Sequence, residues 1–583
     1  MKYLKKFDTH SGYETYKDSE DYITPNVSYC VEQTEVHYSK YVRRDYSKDY
    51  LTFDAVEDTT FQFTKDGLSY SLDKGDTWTP LTSNTATPTV TAGNKILFKG
   101  TITPSSSSPY GIGTFSSTGK YNAMGNVMSL LFGDDFIGQT DLTGNDKAFY
   151  QLFYNDTHLT DASNLMLPAT TLVKSCYDGM FQSCSSLTTA PELPAATLAD
   201  SCYNNMFRDC ISLTTAPELP ATTLADYCYS GMFKGCTSLT TAPALPATIL
   251  AVACYRNMFD GCTSLTTAPE LLPATTLADY CCYYMFNGCS SLTTAPELPA
   301  TTLANNCYRN MFTGCTSLTT APELPATTLA SYCYSNMFTG CTSLTTAPEL
   351  PATTLASYCY SNMFDGCTSL TTAPELPATT LATYCYYHMF QSCSSLTTAP
   401  ELLPATTLAS YCYSNMFDGC TSLTTAPELT ATILAGYCCY YMFNGCSSLT
   451  TAPELPATTL ANNCYNSMFY HCTSLTTAPE LPATTLEQAC YSAMFRGCTS
   501  LTTAPELPAT TLANYCYRSM FTGCTNLNYI KAMFTTTPSS SYTNNWVNGV
   551  AASGTFVKNS AATWDVTGTS GVPSGWTVET ASA

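Results

Sequence analysis

The chain has 583 residues, with 44 acidic and 23 basic side chains and a net charge of −21. That balance argues against nucleic acid as a partner, since phosphate binding needs an excess of Lys and Arg. No run approaches 18 consecutive apolar residues, so no membrane insertion is expected, while 44% hydrophobic content is ample for a core.

Residues 1–48 are polar and tyrosine-rich, and read as an extended docking segment. Lysines follow Met1, but no apolar h-region does, which argues against a Sec leader. Tyr22-Ile23-Thr24-Pro25-Asn26-Val27-Ser28-Tyr29-Cys30 and Glu35-Val36-His37-Tyr38 resemble an N-terminal segment of proteins from gut Bacteroides phages, crAss-like and related. That resemblance implies attachment to other virion proteins through the N-terminal region. Residues 49–120 alternate in strand fashion, as in Phe61-Gln62-Phe63 and Ile96-Leu97-Phe98, with turns at Asp66-Gly67, Lys74-Gly75 and Gly93-Asn94. They predict a β-sandwich-like domain, with Ser105 to Pro109 as a low-complexity linker or loop. Residues 121–166 hold degenerate repeat features around Met128–Phe132 and Phe149–Phe153, and predict an N-terminal cap.

From 167 to 524 one unit recurs fourteen times, marked by Met180, Met206, Met232, Met258, Met285, Met311, Met337, Met363, Met389, Met416, Met442, Met468, Met494 and Met520. The stride is 26 residues, with two steps of 27 where Glu270-Leu271-Leu272-Pro273 and Glu401-Leu402-Leu403-Pro404 carry an extra leucine. A fixed period of this size predicts a solenoid, in which each unit buries its apolar face on its neighbours. Counting from the methionine as position 0, apolar residues at −8, −4, 0, +1 and +4 predict a short helix with one buried stripe. Glycine at +3 is its stop. Leu-Thr-Thr-Ala after it predicts a short parallel strand ended by the proline at +11. The expectation is an α/β solenoid, a leucine-rich-repeat array of about 14 coils, roughly 65 Å long at ~4.8 Å per strand. Residues 525–583, with Trp546, Trp564 and Trp576, predict a small C-terminal β cap.

Met-Phe-Thr-Gly-Cys-Thr-Ser-Leu-Thr-Thr-Ala-Pro-Glu-Leu-Pro, Met311 to Pro325, resembles the BspA-like leucine-rich repeats. The units here are a few residues longer, with an added Cys-Tyr turn. The resemblance implies bacterial or phage surface proteins that bind other molecules, and nothing catalytic.

Fourteen cysteines stand at −4 and fourteen at +4; with Cys282, Cys439 and Cys30 they make up the 31. Both columns continue the apolar stripe, so they are expected as free, buried thiols and not as a disulfide framework. Zinc is not expected, because a Cys-x7-Cys spacing does not match its usual sites. Glutamate recurs at +12; a cation ridge through Glu323, Glu349 and Glu375 is the functional alternative to a solvated edge. The paired threonines at +8 and +9 are expected on opposite faces of a strand, which disfavours an ice-binding array. Pro322-Glu323-Leu324-Pro325 reads as a corner. No catalytic motif appears, and His471 beside Cys472 is a substitution in a copied unit. No cofactor is expected.

Positions −2, −1 and +2 vary most between copies, and carry Arg256, Tyr283, Tyr284, Arg309, Tyr387, His388, Tyr440, Tyr441, Tyr470, Arg496 and Arg518. Tyrosine and arginine are the residue types that dominate binding energy at interfaces. These are the candidate partner-binding residues of a non-enzymatic binding or adhesion protein. The expected setting is a bacteriophage virion surface, in tail or capsid, contacting a host-surface protein or glycan. The alternative is a bacterial surface or secreted adhesin.

Overall fold

The computed structural model describes residues 46–104 and 111–581. Most of the expected docking segment, Cys30 and the Ser105–Pro109 linker lie outside them.

Seven strands open the described chain: β1 (Leu51–Ala55), β2 (Phe61–Phe63), β3 (Leu68–Ser71), β4 (Thr79–Leu81), β5 (Lys95–Gly100), β6 (Phe115–Ser117) and β7 (Tyr121–Asn126). With β8 (Leu159–Met166) they give a six-stranded sheet ordered β4-β3-β5-β1-β7-β8 and a separate β2-β6 pair. Phe53 sits at the centre of this domain, its ring 4.8–5.0 Å from those of Phe61, Phe98, Phe115 and Tyr121. β8 falls in the stretch expected as a separate cap, yet it pairs parallel with β7 and belongs to the same sheet. Asp161 in β8 also bridges Thr189 of the first repeat. The repeats therefore cover an edge that would otherwise be open to pairing. Beneath this junction the buried Asp156 accepts hydrogen bonds from Tyr121 Oη, Ser117 Oγ and the His158 amide, each at 3.0 Å. Burial raises its carboxyl pKa against those bonds.

The expected helix is absent. Among the described residues the only helices are the single turns Ser129–Phe132 and Gly133–Asp135, both outside the repeats. Around Met337 the amides alternate instead. Cys333, Ser335, Met337, Thr339 and Cys341 bond to the carbonyl three residues back, at 3.0–3.3 Å. Between them, Tyr332, Tyr334, Asn336, Phe338 and Gly340 bond across to Ser357, Cys359, Ser361, Met363 and Asp365 of the next repeat, at 2.7–3.1 Å. Every fourth residue lies in the left-handed region: Tyr332 at φ 59°, Asn336 at 56° and Gly340 at 72°. A helix needs every amide to reach four residues back in its own chain, and cannot accept that conformation at each turn. The apolar spacing of four residues is the period of these linked turns, close enough to 3.6 to pass for a helix.

The strands are also shorter than expected. Most repeats join through single bridges, such as Thr320 with Thr346 at +9 and Thr328 with Thr354 at +17. Prolines at +11 and +14 lack the amide needed to extend a ladder. Where the extra leucine separates Glu401 from Pro404, a true parallel pair forms between β9 (Leu402–Leu403) and β10 (Glu428–Leu429).

Met, Phe, both cysteine columns and the +7 leucines are buried in every repeat, as Met337, Phe338, Cys333, Cys341 and Leu344 illustrate. The −8 leucines are only partly covered in eight of the fourteen repeats: Leu355 is buried, while Leu329 and Leu381 are intermediate. The phenylalanines stack without a break from Phe153 to Phe521, with centroids 5.3–5.8 Å apart. The −3 tyrosines form a second column, interrupted where Cys282 and Cys439 replace the ring. A cavity of about 10 Å³, the size of one water, remains beside Cys282 among Tyr255, Leu272, Leu277 and Tyr308.

All thirty described cysteines are free and buried. The +4 thiols have a specific task. Cys341 Sγ donates to the Phe312 carbonyl at 3.1 Å and Cys367 Sγ to that of Phe338 at 3.1 Å, and the contact recurs from Cys184 to Cys524.

The C-terminal segment extends the same stack. Phe521 N donates to the Trp546 carbonyl at 2.7 Å, where earlier repeats use the next methionine. β11 (Tyr529–Ala532), β12 (Thr555–Lys558) and β13 (Thr577–Thr580) pair in parallel. The three indole N–H groups are satisfied by the Gly571, Phe534 and Ala551 carbonyls.

Candidate partner-binding face

The linked turns place the larger residues at −5, −2, −1 and +2 on one partly exposed face, while −4, −3, 0 and +1 go to the core and small residues at −2, such as Ser335, Ser361 and Ser414, are buried as well. Five −5 tyrosines, Tyr332, Tyr358, Tyr384, Tyr411 and Tyr437, stack in consecutive repeats with centroids 4.5–4.8 Å apart. Each has φ between 57° and 59°, a conformation that costs a non-glycine residue roughly 1–2 kcal/mol. Their cross-repeat amide bonds, such as Tyr384 N to Ser410 O at 3.2 Å, help hold it.

The variable residues gather around this column. Tyr283 meets Tyr280 at 5.7 Å and Tyr284 at 4.4 Å, both edge to face. Arg256 and Arg309 lie 5.5 and 5.9 Å from the Tyr283 ring, and Arg309 also covers Tyr332 at 4.9 Å. Tyr387 packs on Tyr384 and on His388. Tyr440 bridges Tyr437 and Tyr441, and Tyr441 reaches Tyr470. Arg496 lies over Tyr470, and Arg518 over Tyr515. All eleven sequence candidates thus share one face, in a strip from Arg256 to Arg518. The −5 tyrosines, which tie that strip together, were not among them. Their signal was the tyrosine before cysteine in repeated Ala-x-Tyr-Cys-Tyr, and it is diagnostic only once the turn geometry is known.

Burial lowers the His388 pKa; its bond to Gln391 and the nearby Asp365 and Asp418 oppose that shift. Asp418 collects Asn444 Nδ2 at 2.7 Å, Asn415 Nδ2 at 3.1 Å and Gln391 Nε2 at 3.3 Å. Burial and neighbouring phenols push Tyr440 up to about 12.

The opposite edge has a different character. Glu323, Glu349 and Glu375 are exposed, and among the described residues no group of three or more His, Cys, Asp or Glu side chains could hold a metal ion. The threonines at +8 and +9 do not point to opposite faces as expected. Both are exposed, and their hydroxyls lie 3.4 Å apart in Thr293–Thr294 and Thr397–Thr398, because an isolated bridge in a bend does not impose strand alternation. Among the described residues no helix is long and apolar enough to cross a membrane.

Overlapping stretches 149–266, 256–397, 310–450 and 410–547 match the family model of the BspA type leucine rich repeat region (6 copies). The chain belongs to this family. Solved structures similar to it include a leucine-rich repeat protein of Bacteroides ovatus ATCC 8483, with 20% identity over 62% of this chain and 82% of that one, at a TM-score of 0.40. Another from Eubacterium ventriosum ATCC 27560 has 14% identity over 59% and 83%, at 0.23. The TLR13–ssRNA13 complex has 14% identity over 68% and 48%, at 0.23. No curated protein matches the chain. The BspA-type assignment fixes the leucine-rich-repeat fold and points to a surface adhesion or binding role.

Proposed function

We propose that this chain is a non-enzymatic adhesion protein, and that its fourteen repeats form a solenoid which engages its partner through the tyrosine–arginine strip. The observation that carries this reading is the run of stacked, partly exposed tyrosines held in a strained backbone conformation from Tyr332 to Tyr437. Tyrosine and arginine bury large area at little entropic cost. The partner is a host-surface protein or glycan. Likeness of the N-terminal segment to Bacteroides phage proteins supports a virion-surface location, in tail or capsid; family membership alone is equally compatible with a bacterial surface or secreted adhesin.

Binding of the purified chain to Bacteroides-type cells tests the reading, against a variant carrying alanine at Tyr283, Tyr284, Tyr387, His388, Tyr440 and Tyr441. Loss of binding with an unchanged melting curve is expected. Undiminished binding removes the strip from consideration. Antibody labelling of phage particles and of bacterial surfaces separates the two locations.

A further inference from the structure

Cys281–Tyr308 and Cys438–Tyr465 carry the same 28 residues, so one aromatic cluster is built twice, six repeats apart. The geometries agree closely. Tyr280–Tyr283 and Tyr437–Tyr440 lie at 5.7 and 5.6 Å, with interplanar angles of 76° and 75°. Tyr283–Tyr284 and Tyr440–Tyr441 lie at 4.4 and 4.5 Å, at 90° and 89°.

The surroundings differ: Tyr411 and Tyr470 flank the second copy where Ala253 and Thr313 stand in the first, and two further differences change the charge beside the central ring. In the first copy the neighbouring repeats supply Arg256 and Arg309, whose guanidinium carbons lie 5.5 and 5.9 Å from the Tyr283 ring. In the second copy those places hold Ser414 and Asn466. Asn306 Oδ1, which accepts from Arg309 at 3.2 Å, has its counterpart in Asn463 Oδ1, which accepts from Asn466 at 2.9 Å. The duplicated tyrosine cluster thus keeps its ring geometry but loses both of its own cations. The chain's net charge of −21 draws cations towards it.

We infer that the cluster of Tyr437, Tyr440 and Tyr441 is a receptor for a guanidinium or ammonium side chain presented by a basic partner protein, taking the place that Arg256 and Arg309 fill around Tyr283. This rests on the binding role proposed for the strip and names the chemistry of one point on it. A cation over a tyrosine face is attracted by the ring quadrupole, and the attraction grows as the pair is desolvated. Edge-to-face packing by Tyr437 and Tyr441 fixes the Tyr440 ring before the ligand arrives, so little side-chain entropy is lost on binding. The Tyr283 cluster is already occupied and serves as an internal control.

The test is titration of the full chain with a short arginine-rich peptide, followed calorimetrically at two salt concentrations, for wild type, Tyr440→Leu, Tyr283→Leu and Asn466→Arg. Tyr440→Leu leaves the net charge unchanged and should weaken binding about 3–10-fold. Asn466→Arg restores an internal cation and should weaken it at least as much, and Tyr283→Leu, at the copy already filled by Arg256 and Arg309, should weaken it less than Tyr440→Leu does. Equal weakening by Tyr440→Leu and Tyr283→Leu, or affinity that follows only salt and net charge, overturns the proposal. In that outcome, loss of cell binding by the six-alanine variant would still support the strip as a whole.

Discussion

Tyr332 and Tyr358 stack ring on ring at 4.5 Å, 9° from parallel, closer than any step of the buried phenylalanine column beneath them, where centroids lie 5.3–5.8 Å apart. The tyrosine spacing lies at the near limit for offset aromatic pairs. Faces of the inner rings are therefore taken up by their neighbours, and a partner meets ring edges and phenolic hydroxyls. Arg309 covers Tyr332 at one end of the column and, with Arg256, the Tyr283 ring, so the ring faces left to a partner are at the Tyr437 end and in the cluster around Tyr440. A surface column this tight is fixed before any partner binds.

The column should contribute little to folding. Asn306 and Asn463 occupy the same −5 position at φ 57° and 58°, and asparagine tolerates the left-handed region better than tyrosine does. Tyr384→Asn should therefore change stability by less than about 1 kcal/mol, relief of strain offsetting lost stacking. Chemical denaturation measures this. A loss of several kcal/mol would make the column a structural brace.

The two buried aromatic columns should respond differently. Phe338 is fully buried with a ring on each side, so Phe338→Ala should cost about 3–5 kcal/mol. Tyr334 is as deeply buried, but its hydroxyl has no hydrogen-bond partner, and the chain already places cysteine at this position in Cys282 and Cys439. Tyr334→Cys should cost clearly less, about 1–2 kcal/mol, since an unpaired buried hydroxyl is removed together with the ring. Equal losses for the two substitutions would refute this ordering.

The thiols should be silent in the folded protein. Burial pushes Cys333, Cys341 and Cys385 up to about 12. At pH 8 a thiol of that pKa is thiolate about one part in ten thousand, and the thiolate is the reactive form. A chromogenic disulfide reagent should find almost no reactive groups among the repeat cysteines of the native chain, and all of them after denaturation without reductant. Few groups after denaturation would reveal disulfides, which would remove the Sγ–H donors to carbonyls such as that of Phe312.

Repetition made the architecture legible in the sequence: the Met-Phe register marks the buried core, and Met337, Phe338 and Leu344 lie where the period puts them. Local conformation was not. A spacing of four residues fits either a helix or a chain of linked turns, and the choice depends on amides that cross to the next repeat, as Phe338 N does to Met363 O. No single unit carries that information. The discriminating signal was the prevalence of Asn and Gly at −1, as in Gly231, Asn310 and Asn336, which suits left-handed backbone and not a helix interior. The candidate face was found for the same reason that its centre was missed. Variable positions stand out by changing, whereas the −5 tyrosines recur and looked like part of the framework.

Asp178 gives the chain a pH dependence of defined sign. It lies part-buried at −2 of the first repeat, where burial lifts its pKa to about 7 against hydrogen bonds from Asn204, at 3.1 Å, and Ser175. A carboxyl whose folded pKa is raised binds more protons folded than unfolded between the two values. Stability should therefore fall as pH rises from about 4 to about 7, and level off above. Asp178→Asn removes the titration and keeps the shape. Because some solvent contact remains, about half the free energy of the full shift is expected, so the variant should be more stable than wild type by about 2 kcal/mol at pH 8. The two should converge near pH 4. Denaturant midpoints at pH 4, 6 and 8 measure the difference directly, and groups common to both proteins, such as Asp156, cancel. A gap that stays constant across that range, or widens towards acid, would show that Asp178 is ionised in the fold with its charge fully satisfied.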